Sequence, residues 1–223
     1  MTKEQLLRKQ MVEVGRRMYQ KGLVVATEGN ISVRLAPQCV LMTPTGAWKG
    51  FLNPADLVVV DLNGKARPGP ARAGGPRPSM EYPMHRGIYR ARADVRAIVH
   101  AHPPVATGFA VAGIALDQPI LAEAVLVLGP VPVVPYATPA TDALPEAIAP
   151  YAAKHQALLL GNHGAVTMGR DLWEAYARME ILEHLALIQL TARLLGRADA
   201  IPPAEVQKLH ALLASRPADK LTR

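Results

Sequence analysis

Apolar residues at helical spacing mark the two ends of the chain. Near the start, five residues fall at helical spacings on one side of a predicted helix: Leu6, Leu7, Gln10, Val14 and Met18. Gly22 follows as a helix stop. Near the other end, Asp171 can cap a long amphipathic segment. The pattern predicts helices over 3–21, from Asp171 to near Gly196, and over 203–214.

Between these helices the chain alternates between short apolar runs and turns. The runs predict six strands: Ile31–Val33, Cys39–Met42, Leu57–Asp61, Ala97–His102, Ala157–Leu160 and Ala165–Met168. Further helices are expected over Pro83–Arg92, through Ala112, and from Thr141 or Asp142 to about Lys154. Ile120–Val127 and Val131–Val134 fit either a buried strand or a buried helix. Alternating helices and short strands predict an α/β domain in which helices cover a sheet.

Length and composition narrow the class of protein. The chain has 223 residues, 50% of them hydrophobic and 19% charged, which is too apolar for a disordered protein. No apolar run reaches the ~18 residues of a membrane-spanning helix, and the charged start lacks the apolar core of a signal peptide. One cysteine, Cys39, excludes an intrachain disulfide and a Cys-rich metal site. We expect one cytoplasmic domain over 1–223, with 196–223 as its C-terminal helix and tail and 64–78 as an exposed Gly/Pro-rich loop.

The formal net charge of +7 raises the question of nucleic-acid binding. The basic residues are concentrated in 1–21, in 65–96 and in the C-terminal tail, whereas 97–192 holds three basic and eight acidic residues. Aromatic residues make up 4% of the chain, too few for a base-stacking surface. We therefore expect neither a nucleic-acid partner nor a membrane partner. The basic segment 65–96 is instead a candidate for attracting an anionic substrate.

Three histidines stand out by their placement. His100 and His102 lie two residues apart at the end of a predicted strand, so both side chains point to the same face. His163 lies between Asn162 and Gly164, in a turn between two predicted strands. Three imidazoles without a competing cysteine favour a metal site with nitrogen and oxygen ligands, and zinc, manganese or cobalt suits such a set.

Other residues could complete such a site. Glu81, just before Pro83, is the candidate fourth ligand or acid/base, although an acid at a helix start also interacts favourably with the helix dipole. Gly29-Asn30, Thr45-Gly46 and Ser79 offer backbone N–H groups and short polar side chains that can bind a phosphate. Neither glycine turn fits the Walker A or dinucleotide-binding pattern, so plain turns remain the alternative.

The order and spacing of these motifs resemble the class II aldolase/adducin-like family. The resemblance extends from about residue 5 to 195 and rests on an ordered set of motifs: Thr27–Ser32, Thr43–Gly46, Pro78–Glu81, His85, His100–Pro103, Pro135–Thr138 and Asn162–Gly164. It implies a three-layer α/β/α domain around a mixed, mostly antiparallel sheet. It also implies a homotetramer with active sites at subunit contacts.

The resemblance assigns roles to individual positions. It makes His100, His102 and His163 zinc ligands, and Glu81 a carboxylate that binds the resting metal and then acts as acid or base. The phosphate-binding positions that it implies are Gly29, Asn30, Thr45, Gly46 and Ser79.

Two positions depart from the family's sugar-phosphate aldolases. Met80 replaces a second serine, and a thioether cannot donate a hydrogen bond to a phosphate. Glu123 aligns with a tyrosine that reaches in from a neighbouring subunit as a proton donor; related dehydratases carry a glutamate there. Glu123 is therefore either a second acid/base or an interfacial acid.

The resemblance implies zinc-dependent retro-aldol cleavage of a ketose 1-phosphate into dihydroxyacetone phosphate and an aldehyde. Dehydration, 4-epimerisation and decarboxylation of a sugar-acid phosphate use the same ligand motifs and remain open. A non-catalytic adducin-like binding domain is the alternative from another class. It would not need three histidines and Glu81 together.

Overall fold

The computed structural model describes residues 1–67 and 75–215. Within them the chain forms seven α-helices: α1 (Lys3–Gln20), α2 (Tyr82–Ala91), α3 (Pro104–Val111), α4 (Ala122–Val127), α5 (Ala143–Ala152), α6 (Leu172–Leu194) and α7 (Pro203–Ala214). Short 3-10 turns lie at Lys49–Phe51 and Pro54–Asp56. The predicted loop 64–78 and the predicted tail 196–223 fall partly outside the described residues.

Seven strands form one sheet in the order β3-β2-β1-β4-β7-β6-β5. Their bounds are β1 (Asn30–Ala36), β2 (Cys39–Met42), β3 (Val58–Asp61), β4 (Ala97–Ala101), β5 (Val133–Val134), β6 (Ala157–Leu160) and β7 (Gly164–Gly169). Every neighbouring pair is antiparallel except β5 and β6. The predicted mixed, mostly antiparallel sheet is confirmed.

The alternation of side chains along the strands divides the core in two. On β4, Ala97, Val99 and Ala101 join a cluster with α1, α3, α4 and α6. Ile98, between them, joins the opposite cluster with α2 and α5. Helices therefore cover both faces of the sheet, which confirms the three-layer α/β/α arrangement.

The two ambiguous apolar runs resolve in different ways. Ala122–Val127 is helical and only Ala124 in it is buried, whereas Val133–Val134 pairs in parallel with the buried strand β6. The two runs differ in the elements that they contact in the fold, and the hydrophobicity of a short run does not predict those contacts.

The register of the central strands brings three chain segments to one sheet edge. Asn30, the first residue of β1, is paired with His100 near the end of β4. His100 is in turn paired with Val166 near the start of β7. The loops before β1, after β4 and before β7 therefore meet at this edge, and each carries a predicted site residue.

The described helices include none with the length and apolar character that a membrane span requires.

Replacing Leu159 by alanine tests the packing of the sheet. Leu159 is fully buried in β6, so Leu159→Ala should lower the free energy of unfolding by about 2–5 kcal/mol through lost burial and the cavity left behind. Leu194→Ala, at a side chain that is 79% exposed, is the control and should change it by under about 0.5 kcal/mol. Chemical denaturation followed by circular dichroism measures both. Equal stabilities for the two variants would contradict the assigned core.

Candidate functional site

The three predicted histidines converge at the sheet edge. Their ring centroids lie 5.0 Å apart for His100 and His102, 4.8 Å for His100 and His163, and 5.2 Å for His102 and His163. One nitrogen from each ring lies within 4.8 Å of the other two, so the set could hold a metal ion. The side-chain convergence expected from the His-x-His spacing is therefore present.

Each of two rings is oriented by its outer nitrogen. His100 Nδ1 donates to the carbonyl oxygen of Ala165 on the neighbouring strand, at 2.8 Å. His102 Nδ1 lies 3.2 Å from Glu28 Oε2. Burial and the charges of His100 and His163 lower the pKa of His102 to about 4, so this ring is neutral near pH 7. Both rings turn Nε2 toward the centre, as metal-binding imidazoles do when a second group holds Nδ1.

The inner nitrogens have the spacing of metal ligands. His100 Nε2 and His102 Nε2 are 3.2 Å apart. Two nitrogens bound tetrahedrally at 2.0–2.1 Å from one zinc ion would lie ~3.3 Å apart. Two imidazole nitrogens can approach this closely only when a proton or a cation lies between them. The donor set therefore fits a divalent metal.

Glu81 places its carboxylate against two of the three rings. Oε2 is 3.2 Å from His100 Nε2, and Oε1 is 3.0 Å from His163 Nε2. Although it is that close, Oε1 is buried without a hydrogen-bond partner of suitable geometry. A buried carboxylate oxygen without a donor is costly, and a bound cation would satisfy it.

Glu81 is ionised in this setting. Burial by itself would raise its pKa, but the neighbouring imidazoles of His100 and His163 outweigh burial and hold the pKa of Glu81 well below its usual range. A carboxylate in this state is a suitable metal ligand, and it can act as a base once a substrate proton comes within reach.

A buried chain of hydrogen bonds fixes Glu81 from behind. Asn30 Nδ2 donates to Glu81 Oε2 at 2.7 Å, and Asn30 Oδ1 faces Nε2 of His85. His85 Nδ1 lies 2.7 Å from Ser32 Oγ, which lies 2.9 Å from the hydroxyl of Tyr89. The chain thus runs from Tyr89 in α2 through β1 to the carboxylate.

The ionised carboxylate of Glu81 fixes which atom donates in each hydrogen bond of this chain. A carboxylate only accepts, so Asn30 donates through its nitrogen and must accept through its oxygen. His85 therefore carries its proton on Nε2 and accepts from the Ser32 hydroxyl at Nδ1. Burial lowers the pKa of His85 to about 3, so the ring is neutral, as this pattern requires.

The predicted anion-binding residues lie on adjoining loops. Gly29 and Gly46 both have left-handed backbone, with φ of +68° and +69°. The Ser79 N–H donates to Thr43 O at 3.3 Å, and the Thr45 N–H donates to Arg77 O at 3.0 Å, so the Thr45-Gly46 turn adjoins Ser79. Ser79 Oγ accepts from the N–H of Glu81 at 3.2 Å.

Two features of these loops differ in detail from the sequence reasoning. The side-chain amide of Asn30 contacts Glu81 through its nitrogen and His85 through its oxygen, so the side chain positions the carboxylate in this state. In the Gly161–Gly164 turn, the left-handed residue is Asn162, with φ of 52°. Gly164 is required for space instead, since a Cβ there would lie 2.6 Å from Ala101 O and would also collide with the ring of His102.

Glu123 lies apart from this constellation within the chain. It is exposed in the first turn of α4, and the described residues give it no hydrogen bond or ion pair to the histidines. Met80 is 69% exposed beside Ser79. Both side chains therefore remain available to a ligand or a neighbouring molecule.

Three contributions to the site were not predicted from the sequence. They are Glu28, Lys49 and the contact of His85 with Asn30. Glu28 adjoins Gly29 but has no spacing signal of its own. His85 belongs to the motif set, but only the fold reveals its contact with Asn30. Lys49 is 1% exposed, and nothing in a sequence marks a lysine as buried.

A family model described as "Class II Aldolase and Adducin N-terminal domain" matches residues 9–190. The chain belongs to this family. A 3-oxo-tetronate 4-phosphate decarboxylase from Pectobacterium atrosepticum is 35% identical over 190 residues, covering 83% of this chain and 84% of the relative. An L-fuculose phosphate aldolase from Methanococcus maripaludis is 36% identical over 172 residues, covering 76% and 88%.

A solved structure agrees with this membership. YgbL from Escherichia coli, described as an aldolase, epimerase or decarboxylase, superposes with a TM-score of 0.84 at 31% identity, covering 93% of this chain and 99% of that chain. The family resemblance and the fold expected from it are therefore confirmed, whereas the relatives differ in the reaction that their names state.

Substituting Glu28 tests its support of His102. Glu28→Gln keeps the size of the side chain but removes the charge beside Nδ1, so zinc affinity should fall about 10- to 100-fold. Competition with a chromophoric chelator at fixed pH measures this affinity. Glu146→Gln, at an exposed acid of α5, should leave it unchanged. An affinity in Glu28→Gln equal to that of the unsubstituted protein would contradict the orienting role.

Proposed function

We propose that this protein is a metal-dependent carbon–carbon lyase acting on a phosphorylated sugar, with retro-aldol cleavage of a ketose 1-phosphate as the first candidate. The observation that carries the proposal is the convergence of three imidazoles and the Glu81 carboxylate at one sheet edge. The loops predicted to bind phosphate lie beside this cluster. The names of two relatives, a 3-oxo-tetronate 4-phosphate decarboxylase and an L-fuculose phosphate aldolase, support a sugar phosphate as substrate.

His100, His102 and His163 would hold the metal, with Glu81 as a further ligand before substrate binds. When bound, a divalent cation supplies Lewis acidity that stabilises negative charge developing on substrate oxygens. Zinc, manganese and cobalt all suit the nitrogen and oxygen donors present.

Retro-aldol cleavage needs two proton transfers. The C3–C4 bond breaks, its electron pair stays on C3 and is delocalised onto the C2 carbonyl oxygen, and the C4 hydroxyl loses its proton. A base accepts that proton, and an acid then protonates C3 to give dihydroxyacetone phosphate. Glu81 is one of the two groups, and Glu123 is the proposed second group, supplied across a subunit contact in the proposed homotetramer.

Glu81 would gain the proton affinity that this role needs once the substrate displaces its carboxylate from the ring cluster, and its Oε1 has no hydrogen-bond partner that a proton would have to replace. Asn30 occupies Oε2 and so directs the free oxygen toward the ring cluster. The proposed phosphate site comprises Gly29, Asn30, Thr45, Gly46 and Ser79, with Asn30 contributing through its backbone while its amide is engaged with Glu81.

Decarboxylation is the second candidate, and one observation favours it. Within the described residues of one chain, Glu81 is the carboxylate that contacts two rings of the cluster. Loss of carbon dioxide from a 3-oxo sugar acid removes no hydroxyl proton, so a single proton donor completes the reaction. The decarboxylase relatives, at 35% identity, act on 3-oxo-tetronate 4-phosphate according to their name.

The two candidates share their phosphorylated product. Cleavage of the bond between the carbons α and β to the carbonyl leaves the same three-carbon enediolate from a ketose 1-phosphate and from a 3-oxo-tetronate 4-phosphate. Protonation of this fragment gives dihydroxyacetone phosphate in both cases. Only the second product, an aldehyde or carbon dioxide, separates them. One site can therefore be tested against both substrates with paired readouts.

The deciding assay incubates metal-replete protein with a panel of ketose 1-phosphates and with 3-oxo-tetronate 4-phosphate. Aldehyde formed together with dihydroxyacetone phosphate would support aldol cleavage, and carbon dioxide with the same product would support decarboxylation. Turnover of neither class by a protein with bound metal would overturn the proposal.

Replacing Glu81 by glutamine tests its role in proton transfer. Glu81→Gln keeps the shape of the side chain but cannot take up a proton, so kcat should fall about 10²- to 10⁴-fold. Metal content, measured by atomic emission, should remain near stoichiometric because three histidines are retained. His100→Ala is the contrasting variant and should lose both metal and turnover. Undiminished kcat in Glu81→Gln would exclude the acid/base role.

A further inference from the structure

Lys49 is a buried cation with no acidic partner. Its side chain is 1% exposed, and its ammonium donates to the carbonyl oxygens of Thr27, at 2.7 Å, and Ala47, at 2.6 Å. Within residues 1–67 and 75–215, no carboxylate lies within ion-pair distance of Nζ. Burying an unpaired ammonium costs free energy, which makes Lys49 a candidate for a functional role.

Two carboxylates act on Lys49 from a distance. Burial lowers the pKa of Lys49 to about 8, while the charges of Glu81 and Glu28 act in the opposite direction. The ammonium is therefore largely charged at pH 7. Neither carboxylate is in contact with it, so the region around Lys49 keeps a positive charge that no neighbouring side chain neutralises directly.

The two carbonyls that Lys49 binds belong to the two glycine turns. Thr27 lies two residues before Gly29, and Ala47 follows Gly46 directly. A single ammonium thus joins loops that are separated by about 20 residues of sequence and by β1 and β2. Because it takes up carbonyl oxygens, it fixes the path of both loops where their N–H groups are needed for an anion.

We propose that Lys49 is a positioning residue for anion binding, which holds the Gly29 and Gly46 turns together as one cradle and whose charge is complemented by the bound anion. This inference rests on the proposed function, since it takes the phosphate of the sugar substrate as the anion. The residue acts through the backbone of the two turns.

The test measures binding of inorganic phosphate to zinc-loaded protein by isothermal titration calorimetry at pH 7. Lys49→Met removes the charge and both hydrogen bonds and should weaken phosphate binding about 10- to 100-fold, as expected for charge-assisted bonds. Lys49→Arg retains the charge and should stay within a few fold of the unsubstituted protein. Lys154→Met, at an exposed lysine, controls for the loss of one unit of net charge.

Zinc affinity separates positioning from general damage. It should change much less than phosphate affinity in Lys49→Met, because the ammonium bonds to the turns and acts on the ring cluster only at a distance. In kinetics, KM for the phosphorylated substrate should rise more than kcat falls. Equal phosphate binding in Lys49→Met and unsubstituted protein, or equal losses of phosphate and zinc affinity, would overturn the role of Lys49.

Hydrogen exchange on the unsubstituted protein provides a measurement that does not depend on a variant folding. Phosphate should slow exchange in the peptides covering 27–30 and 45–49 together, and protection of only one of them would contradict a joint cradle. Absence of phosphate binding by the unsubstituted protein would count against the phosphorylated substrate itself, and with it this inference. Normal phosphate binding in Lys49→Met would instead exclude the proposed role of Lys49 and leave the phosphorylated substrate unaffected.

Discussion

The register between β1, β4 and β7 is the constraint on which the site depends. Asn30 pairs with His100, and His100 pairs with Val166, so the backbone fixes which side chains meet. A slip of one residue would move His100 to the opposite face of the sheet, away from Glu81 and from His163. The apolar cluster that holds Ala97, Val99 and Ala101 disfavours that slip, because it would bury the polar ring of His100 among apolar side chains.

Polar burial behind the cluster is arranged so that each group finds a partner. Ser32, His85 and Asn30 are all nearly inaccessible to solvent, yet each is bonded to the next. Two unpartnered buried atoms belong to the site itself, Glu81 Oε1 and His163 Nδ1. The fold thus satisfies the supporting groups, whereas Glu81 Oε1, which faces the ring of His163, keeps unmet hydrogen-bonding capacity where a ligand would be received.

Local periodicity allowed the α/β class and most of the strands to be predicted, whereas the three-layer arrangement and the joint ligand set followed from the resemblance to the class II aldolase/adducin-like family. The strand period places His100 and His102 on one face, and the predicted strands lie within a few residues of those observed. The supporting contacts escaped prediction because they join distant segments: Glu28 with His102, Lys49 with Thr27, and His85 with Asn30. Nor does the chain by itself bring Glu123 to the cluster, since that would depend on a second copy.

The amide of Asn30 has a consequence for how charge can move through the interior. A chain made only of hydroxyls, imidazoles and carboxylates can shift a proton from end to end by exchanging donors and acceptors along its length. A carboxamide neither gains nor loses a proton in this way, so Asn30 does not pass a proton between His85 and Glu81. The chain from Tyr89 is therefore a mechanical brace, and any proton that Glu81 handles must enter and leave through the open side of the site.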